Sequence, residues 1–183
     1  MDTRNKLLEA KYFLDALIAT QDKPEVFRFN LSAFLASWKS VLDVMLYDFL
    51  EFFSLGLTHE DKVLPEYFYI VAKSRNNKPA LDFFRWWNKK RDSLSNNPLW
   101  SMRHFHLHRG YPEEITEIVY SLNSLSSGIG FSLVPVSGIA CLTDSPQTLL
   151  EAKLQEVLNL CRNGYATMEA IVKDAEKQFQ AQL

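Results

Sequence analysis

The sequence predicts an all-α fold, a helical bundle in one domain, and three observations lead to this prediction. A chain of 183 residues has the usual size of a single domain. Apolar residues make up 47% of it, which is enough to fill a hydrophobic core. Apolar side chains also recur at steps of three and four over most of the chain, which is the period of an amphipathic helix. We therefore expect residues 1–183 to form one helical domain.

The N-terminal part of the chain carries the clearest helical pattern. A first helix is expected from Thr3 to Thr20, and Pro24 then opens a second helix that continues to Phe53. At about 1.5 Å per residue the second helix is roughly 45 Å long, which suits the spine of a bundle. The inner stripe of the first helix is Leu7, Ala10, Phe13 or Leu14, and Leu17. That of the second is Phe27, Leu31, Phe34, Trp38, Val41, Met45, Phe49 and Phe52.

Three shorter helices are expected in the middle of the chain, over residues 59–74, 79–95 and 98–109. In the second of these, Leu81, Phe84 and Trp87 (or Trp86) are expected to face inward. The third is defined by its ends. The pair Asn96-Asn97 supplies a cap before Pro98, and Gly110 with Pro112 forms the stop.

The C-terminal third changes character before it returns to helix. Residues 113–125 look helical at least in part, whereas 126–142 are rich in β-branched residues and glycine, so we expect a short β-hairpin or an ordered apolar loop there. Ser145 then caps a long final helix that reaches about Gln180. The inner stripe of this helix is Leu150, Leu154, Val157, Leu160 or Cys161, Met168, Ile171 and Val172.

Charge and cysteine content bound the class of protein. The net charge of -2 excludes a generally polycationic surface, so contact with nucleic acid needs a local basic patch. No apolar signal core and no run of about 18 apolar residues occurs, so we expect a cytoplasmic protein without a membrane span. Cys141 and Cys161 are expected to be buried, reduced thiols. No cofactor is expected.

One segment suggests a chemical function, the run Arg-His-Phe-His-Leu-His from Arg103 to His108. On a strand, His104, His106 and His108 would share one face, as the ligands of a metal do. On a helix His104 and His108 share a face while His106 turns away. The caps favour the helix, and no acidic residue lies between Asp92 and Glu113, so a zinc site is not the preferred interpretation.

This run resembles the motif of the HEPN superfamily, in which four to six residues separate an Arg from a His and Asn, Asp or His commonly follows the Arg. Other stretches resemble a set of uncharacterised bacterial helical proteins. These are the start of the first helix (6–14), the start of the second (27–35), and the Pro-Leu before the Arg…His-x-Gly stretch (98–110). The resemblance covers roughly residues 1–110.

The resemblance implies a helical bundle that dimerises, and for many members a metal-independent endoribonuclease. In such an enzyme a 2′-hydroxyl attacks the adjacent phosphate. By resemblance, His108 would be the acid/base, Arg103 would clamp the phosphate, and His104 would orient the site. Histidine titrates near neutrality and a guanidinium neutralises growing phosphate charge, so both residue types suit this work. Two protomers of a homodimer would bring their motifs together.

The surrounding segment is basic, since residues 82–109 hold six Lys and Arg against two Asp, a net charge of +4. Lys89, Lys90, Arg91 and Arg109 are the candidate RNA contacts, and Trp86, Trp87 and Trp100 are candidates for stacking on bases. For the adjacent tryptophans, core packing is the preferred interpretation. For the three cations at 89–91, a solvated helix end is preferred.

Two functional hypotheses follow. The first is an RNA-cleaving enzyme or toxin-like effector, with RNA and an antitoxin-type protein as candidate partners. The second is a non-catalytic RNA- or protein-binding module. Five helical steps separate Arg103 from His108 by about 140°. A joint site therefore needs a bent segment or a second protomer.

Overall fold

The computed structural model describes residues 2–56, 64–102 and 146–180, and most of these residues are helical. The helices are α1 (Asp2–Ala19), α2 (Pro24–Phe52), α3 (Leu64–Ser74), α4 (Lys78–Ser95), α5 (98–102) and α6 (Pro146–Ala175), which continues into a π-helical turn (Glu176–Gln180). The all-α prediction is confirmed for these ranges, which contain no strand. The expected hairpin at 126–142 and the helix at 113–125 lie outside the described residues.

The end signals in the sequence place the helices well. The first two helices agree with the predicted bounds to within one residue, and the last begins at Pro146 as expected. Asn77 caps α4, since its side-chain oxygen accepts a hydrogen bond from the Ala80 amide at 3.1 Å. For the helix expected at 59–74, the described part begins at Leu64.

The spine of the bundle is α2, and α1 runs antiparallel along it. Hydrogen bonds join the start of α1 to the end of α2 through Thr3 and Asp48, and the end of α1 to the start of α2 through Thr20 and Asn30. The last helix contacts both, while α3 packs on α4 and on α2. The buried apolar side chains of α2 are Phe27, Leu31, Phe34, Leu35, Trp38, Val41, Leu42, Met45, Leu46, Phe49 and Leu50, which confirms the predicted stripe except for half-buried Phe52. None of the helices in the described ranges is long and apolar enough to cross a bilayer.

The structure resolves the alternatives left open for the inner faces. In α1 it is Leu14 that is buried, and in the last helix it is Cys161. The stripe expected for α4 was partly wrong, because Phe83 is fully buried whereas Phe84 and Leu81 are only half-buried. The ring of Phe83 stacks on that of Phe49 at a centroid distance of 3.9 Å, and this contact with α2 fixes the rotation of α4.

The thiol of Cys161 is free and buried, as predicted, and burial raises its pKa to about 12. The other cysteine, Cys141, lies outside the described residues.

The final helix closes the bundle at its C-terminal end. Arg4 of α1 donates two hydrogen bonds to Glu176, the longer of them 2.9 Å. Phe179 on the π-helical turn lies edge-on against Phe83 and Trp86, with centroid distances of 5.4 and 5.6 Å. Residues 174–179 therefore link α6 to both α1 and α4.

A buried carboxylate caps α1 from a distance. Asp48 accepts hydrogen bonds from the amides of Asp2 and Thr3, at 3.0 and 2.8 Å, and from the Thr3 hydroxyl. These amides belong to the first turn of the helix, where its own carbonyls offer no partners and the helix dipole favours a negative charge. The pairing also fixes the register of α1 against α2.

We expect Asp48→Ala to lower the free energy of unfolding by about 1–2 kcal/mol, because it leaves the start of α1 without its cap. Urea unfolding followed by circular dichroism measures this change. Glu51→Ala is the matched control, since this exposed carboxylate lies one turn further along α2. Equal stabilities of the two variants would show that the cap is unimportant.

Candidate functional site

The helix that leads into the Arg103–His108 run starts where the sequence placed it. The Asn97 side-chain oxygen accepts a hydrogen bond from the Leu99 amide at 2.9 Å, and the Asn97 carbonyl accepts one from the Trp100 amide at 2.9 Å. Residues 98–102 are helical from this cap onward. The predicted restart at Asn96-Asn97-Pro98 is therefore confirmed.

The first turn of α5 is fixed into the core by its apolar residues. Leu99 is fully buried, and Met102 packs on the core from a half-buried position. The ring of Trp100 lies edge-on to that of Trp38 at 6.4 Å, and the Lys39 ammonium lies 4.6 Å from the Trp100 ring centroid. Arg103 is thus the residue directly after a turn whose position is set by packing.

The candidate catalytic residues Arg103, His104 and His108, and the candidate RNA contact Arg109, lie outside the described residues. His106, the third histidine of the possible zinc site, lies outside them as well. Within the three described ranges, no three His, Cys, Asp or Glu side chains come together as a metal site requires.

The other three candidate RNA contacts, Lys89, Lys90 and Arg91, are described, and they occupy different surroundings. Because neighbouring residues on a helix are about 100° apart, the three side chains cannot share one face. The Lys89 side chain is exposed. The Lys90 ammonium lies 3.0 Å from the Asp174 carboxylate of α6 and 5.4 Å from the Trp86 ring centroid.

The ion pair of Lys90 with Asp174 belongs to the packing of α4 on the last helix. The hydrogen bond donated by Lys90 lowers the pKa of the Asp174 carboxyl, with smaller contributions from the Lys90 charge and from the hydrogen bond of the Trp86 indole. Since a depressed pKa adds stability only while the carboxyl is ionised, this contribution is lost as the pH falls below the ordinary aspartate value of about 3.9. The side chain of Lys90 thus has a structural partner within the chain.

Arg91 is turned about 100° from Lys90 around the axis of α4. Its guanidinium carbon is 5.2 Å from the Trp87 ring centroid, and its Nη2 is 3.3 Å from Oδ1 of Asp92. It also lines a cleft of about 470 Å³ between α3 and α4, together with Pro65, Glu66, Tyr69, Phe84 and Asn88. The sequence did not predict this cleft. The available signal was an aromatic residue, Tyr69, on the outer face of α3.

Both adjacent tryptophans of α4 hold the bundle together, which confirms the preferred interpretation of them. The buried indole of Trp87 donates to the Leu42 carbonyl of α2 at 3.1 Å. That of Trp86 donates to Asp174 at 3.2 Å. The Trp87 ring is buried and the half-buried Trp86 ring packs against Phe83 and Phe179, so both rings belong to the packing of the bundle.

Comparisons with known proteins add no relative to this description. Scans against protein-family models, curated protein sequences and solved structures find no match to this chain.

Proposed function

We propose that this chain is a HEPN-like domain that acts on RNA, with Arg103 and His108 as its catalytic pair. The observation that supports the proposal is the cap at Asn97 and the burial of Leu99 in the first turn of α5. The helix that leads into a catalytic motif needs a fixed place in the fold, because proton transfer and charge neutralisation both depend on where the catalytic groups lie relative to the substrate. The helical bundle is the architecture that the resemblance implies.

The proposed reaction is cleavage of the RNA strand by its own 2′-hydroxyl. The 2′-oxygen attacks the adjacent phosphorus, the bond from phosphorus to the 5′-oxygen breaks, and a 2′,3′-cyclic phosphate and a 5′-hydroxyl remain. His108 transfers the proton from the 2′-hydroxyl to the leaving 5′-oxygen, and Arg103 neutralises the charge on the phosphate oxygens. His104 orients the site.

The separation of Arg103 and His108 by about 140° on a regular helix leads us to propose a homodimer, in which the two protomers complete one another's site. Sedimentation equilibrium measures this oligomeric state. The exposed Lys89, together with Arg91 and Arg109, is proposed to contact the RNA, and a cytoplasmic location is part of the same proposal.

We expect His108→Ala and Arg103→Ala each to lower the rate of RNA cleavage by about 10²- to 10⁴-fold in the presence of a metal chelator. The assay follows a 5′-labelled RNA on a denaturing gel and identifies the cyclic phosphate end. His106→Ala is the matched control, since on a helix this residue turns away from the face of His104 and His108. The nuclease proposal is wrong if wild type and His108→Ala leave the RNA equally intact.

A second candidate function is a non-catalytic module that binds RNA or protein, including an antitoxin-type partner. The pairing of Lys90 with Asp174 and of Arg91 with Asp92 favours the protein-binding form of this module, because these contacts neutralise part of the basic charge on α4 that RNA would need. Binding of RNA without any cleavage would identify the RNA-binding form, whereas no affinity for RNA at all would point to the protein-binding form.

A further inference from the structure

We infer that the cleft between α3 and α4 binds an unpaired nucleobase of single-stranded RNA, an inference that rests on the proposed action on RNA. The cleft is defined by Pro65, Glu66, Tyr69, Phe84, Asn88 and Arg91. It is an open cleft of about 470 Å³. It shares no residue with the Arg103–His108 motif, and the inference does not depend on the role of that motif in cleavage.

The cleft offers aromatic surface for stacking. Tyr69 is 42% exposed, although it lies on a helix of only eleven residues whose other face is buried. Its ring is 5.7 Å from that of Phe84 at an interplanar angle of 35°. The Phe84 ring is already packed against Phe68 and Trp87, and the Lys73 ammonium lies 5.6 Å from the Tyr69 centroid. A base that enters the cleft therefore stacks on the exposed part of the Tyr69 ring, and stacking on an aromatic side chain is a common way in which proteins hold unpaired bases.

The aromatic wall is rigid before anything binds. Phe84 is stacked on Phe68 at 5.6 Å and 13°, and on Trp87 at 6.1 Å and 17°. The guanidinium of Arg91 lies at the end of this row of rings, 5.2 Å from the Trp87 centroid. Because these rings are held by the core, a stacked base would lose little free energy to reordering of the site.

Polar groups at the cleft suit the edge of a base and its phosphate. The side chains of Glu66, Tyr69 and Asn88 line the cleft and make no hydrogen bond within the described part of the chain. An Asn amide both accepts and donates along the edge of adenine, and a Glu carboxylate accepts from an exocyclic amine. Arg91 lies at the same cleft and supplies a donor for phosphate oxygens.

These polar groups favour a base that carries an exocyclic amine. Adenine and cytosine carry an exocyclic amine, whereas uracil presents a carbonyl in the same place. A uracil carbonyl would meet the Glu66 carboxylate without a proton between them. The cleft is therefore expected to prefer adenine or cytosine over uracil.

The test measures binding separately from cleavage. Fluorescence anisotropy with 2′-O-methyl oligonucleotides of twelve A or twelve U residues reports binding to the full chain, because the methyl group removes the nucleophile. Tyr69→Ala is expected to weaken binding of the A oligomer by about 5- to 150-fold, the usual worth of one stacked base, whereas Tyr69→Phe retains the affinity. Asn88→Ala is expected to reduce the preference for A over U. Tyr12→Ala is the control, since this tyrosine is also exposed, at 69%, and lies on the distant α1.

Two outcomes would overturn the inference. In one, the wild-type protein does not bind the A oligomer. In the other, Tyr69→Ala and Asn88→Ala bind the A and U oligomers as wild type does. If the cleft variants behave as expected but unmodified RNA is not cleaved, the proposed nuclease activity fails while the inference about the cleft stands.

Discussion

Phe83→Ala is expected to lower the free energy of unfolding by about 3–5 kcal/mol. The ring is fully buried, stacks on Phe49 of α2, and lies within 6.0 Å of Phe53, Phe68 and Phe179. Its removal leaves a cavity where α2, α3, α4 and the C-terminal turn meet, and stacked neighbours cannot collapse to fill it. Urea unfolding followed by tryptophan fluorescence gives the stability of the variant.

The adjacent Phe84 provides the matched comparison. It is half-buried at the α3–α4 cleft, so Phe84→Ala is expected to cost only about 1–2 kcal/mol. The two substitutions remove the same atoms from neighbouring positions on one helix, and the difference therefore reports burial alone. A larger loss at Phe84 than at Phe83 would contradict the rotation of α4 described above.

The second large effect is expected at Gly164 in the middle of α6. Replacing glycine with alanine inside a helix ordinarily stabilises it by about 1 kcal/mol. Here the added methyl group would overlap the Cδ1 atom of Leu99, which is fully buried. The helix cannot move away without loss, because the Trp38 indole donates to the Gly164 carbonyl at 2.8 Å. We expect Gly164→Ala to destabilise the protein by about 1–3 kcal/mol.

A double-mutant cycle isolates this contact. Leu99→Ala alone is expected to cost about 2–5 kcal/mol, but in that background Gly164→Ala should be neutral or stabilising, because the overlapping atom is gone. Asn163→Ala, at the exposed neighbouring position, controls for helix propensity. The same cost of Gly164→Ala in both backgrounds would refute the close approach of α5 and α6.

Local signals in the sequence account for most of the described fold. The bounds of α1 and α2 follow from prolines and a regular apolar period, and the start of α5 follows from Asn97 and Pro98. What local signals do not contain is the choice between adjacent apolar residues. Phe83 and Phe84 are about 100° apart on α4. Which of them is buried depends on Phe49, a residue of another helix.

The candidate site divides in the same way. The type and spacing of Arg103 and His108 are visible in the sequence, and so is the cluster of cations near 90. The partner of Lys90 is not visible, because Asp174 is 84 positions away and meets it only once the bundle has formed. The α3–α4 cleft is likewise a product of two helices whose individual patterns predict only cores.

The contacts of residues 174–179 have a consequence for how the protein is made. Glu176 pairs with Arg4, while Asp174 and Phe179 complete the surroundings of Trp86. A ribosome delivers Arg4 early and Glu176 only after 171 intervening residues. The α1–α2 hairpin is local and free to form during synthesis, whereas closure of the bundle has to wait for the end of α6. The parts of the apolar faces of α2 and α4 that the last helix covers thus stay exposed on the nascent chain until residues 174–179 have been made, a period in which a chaperone would find them.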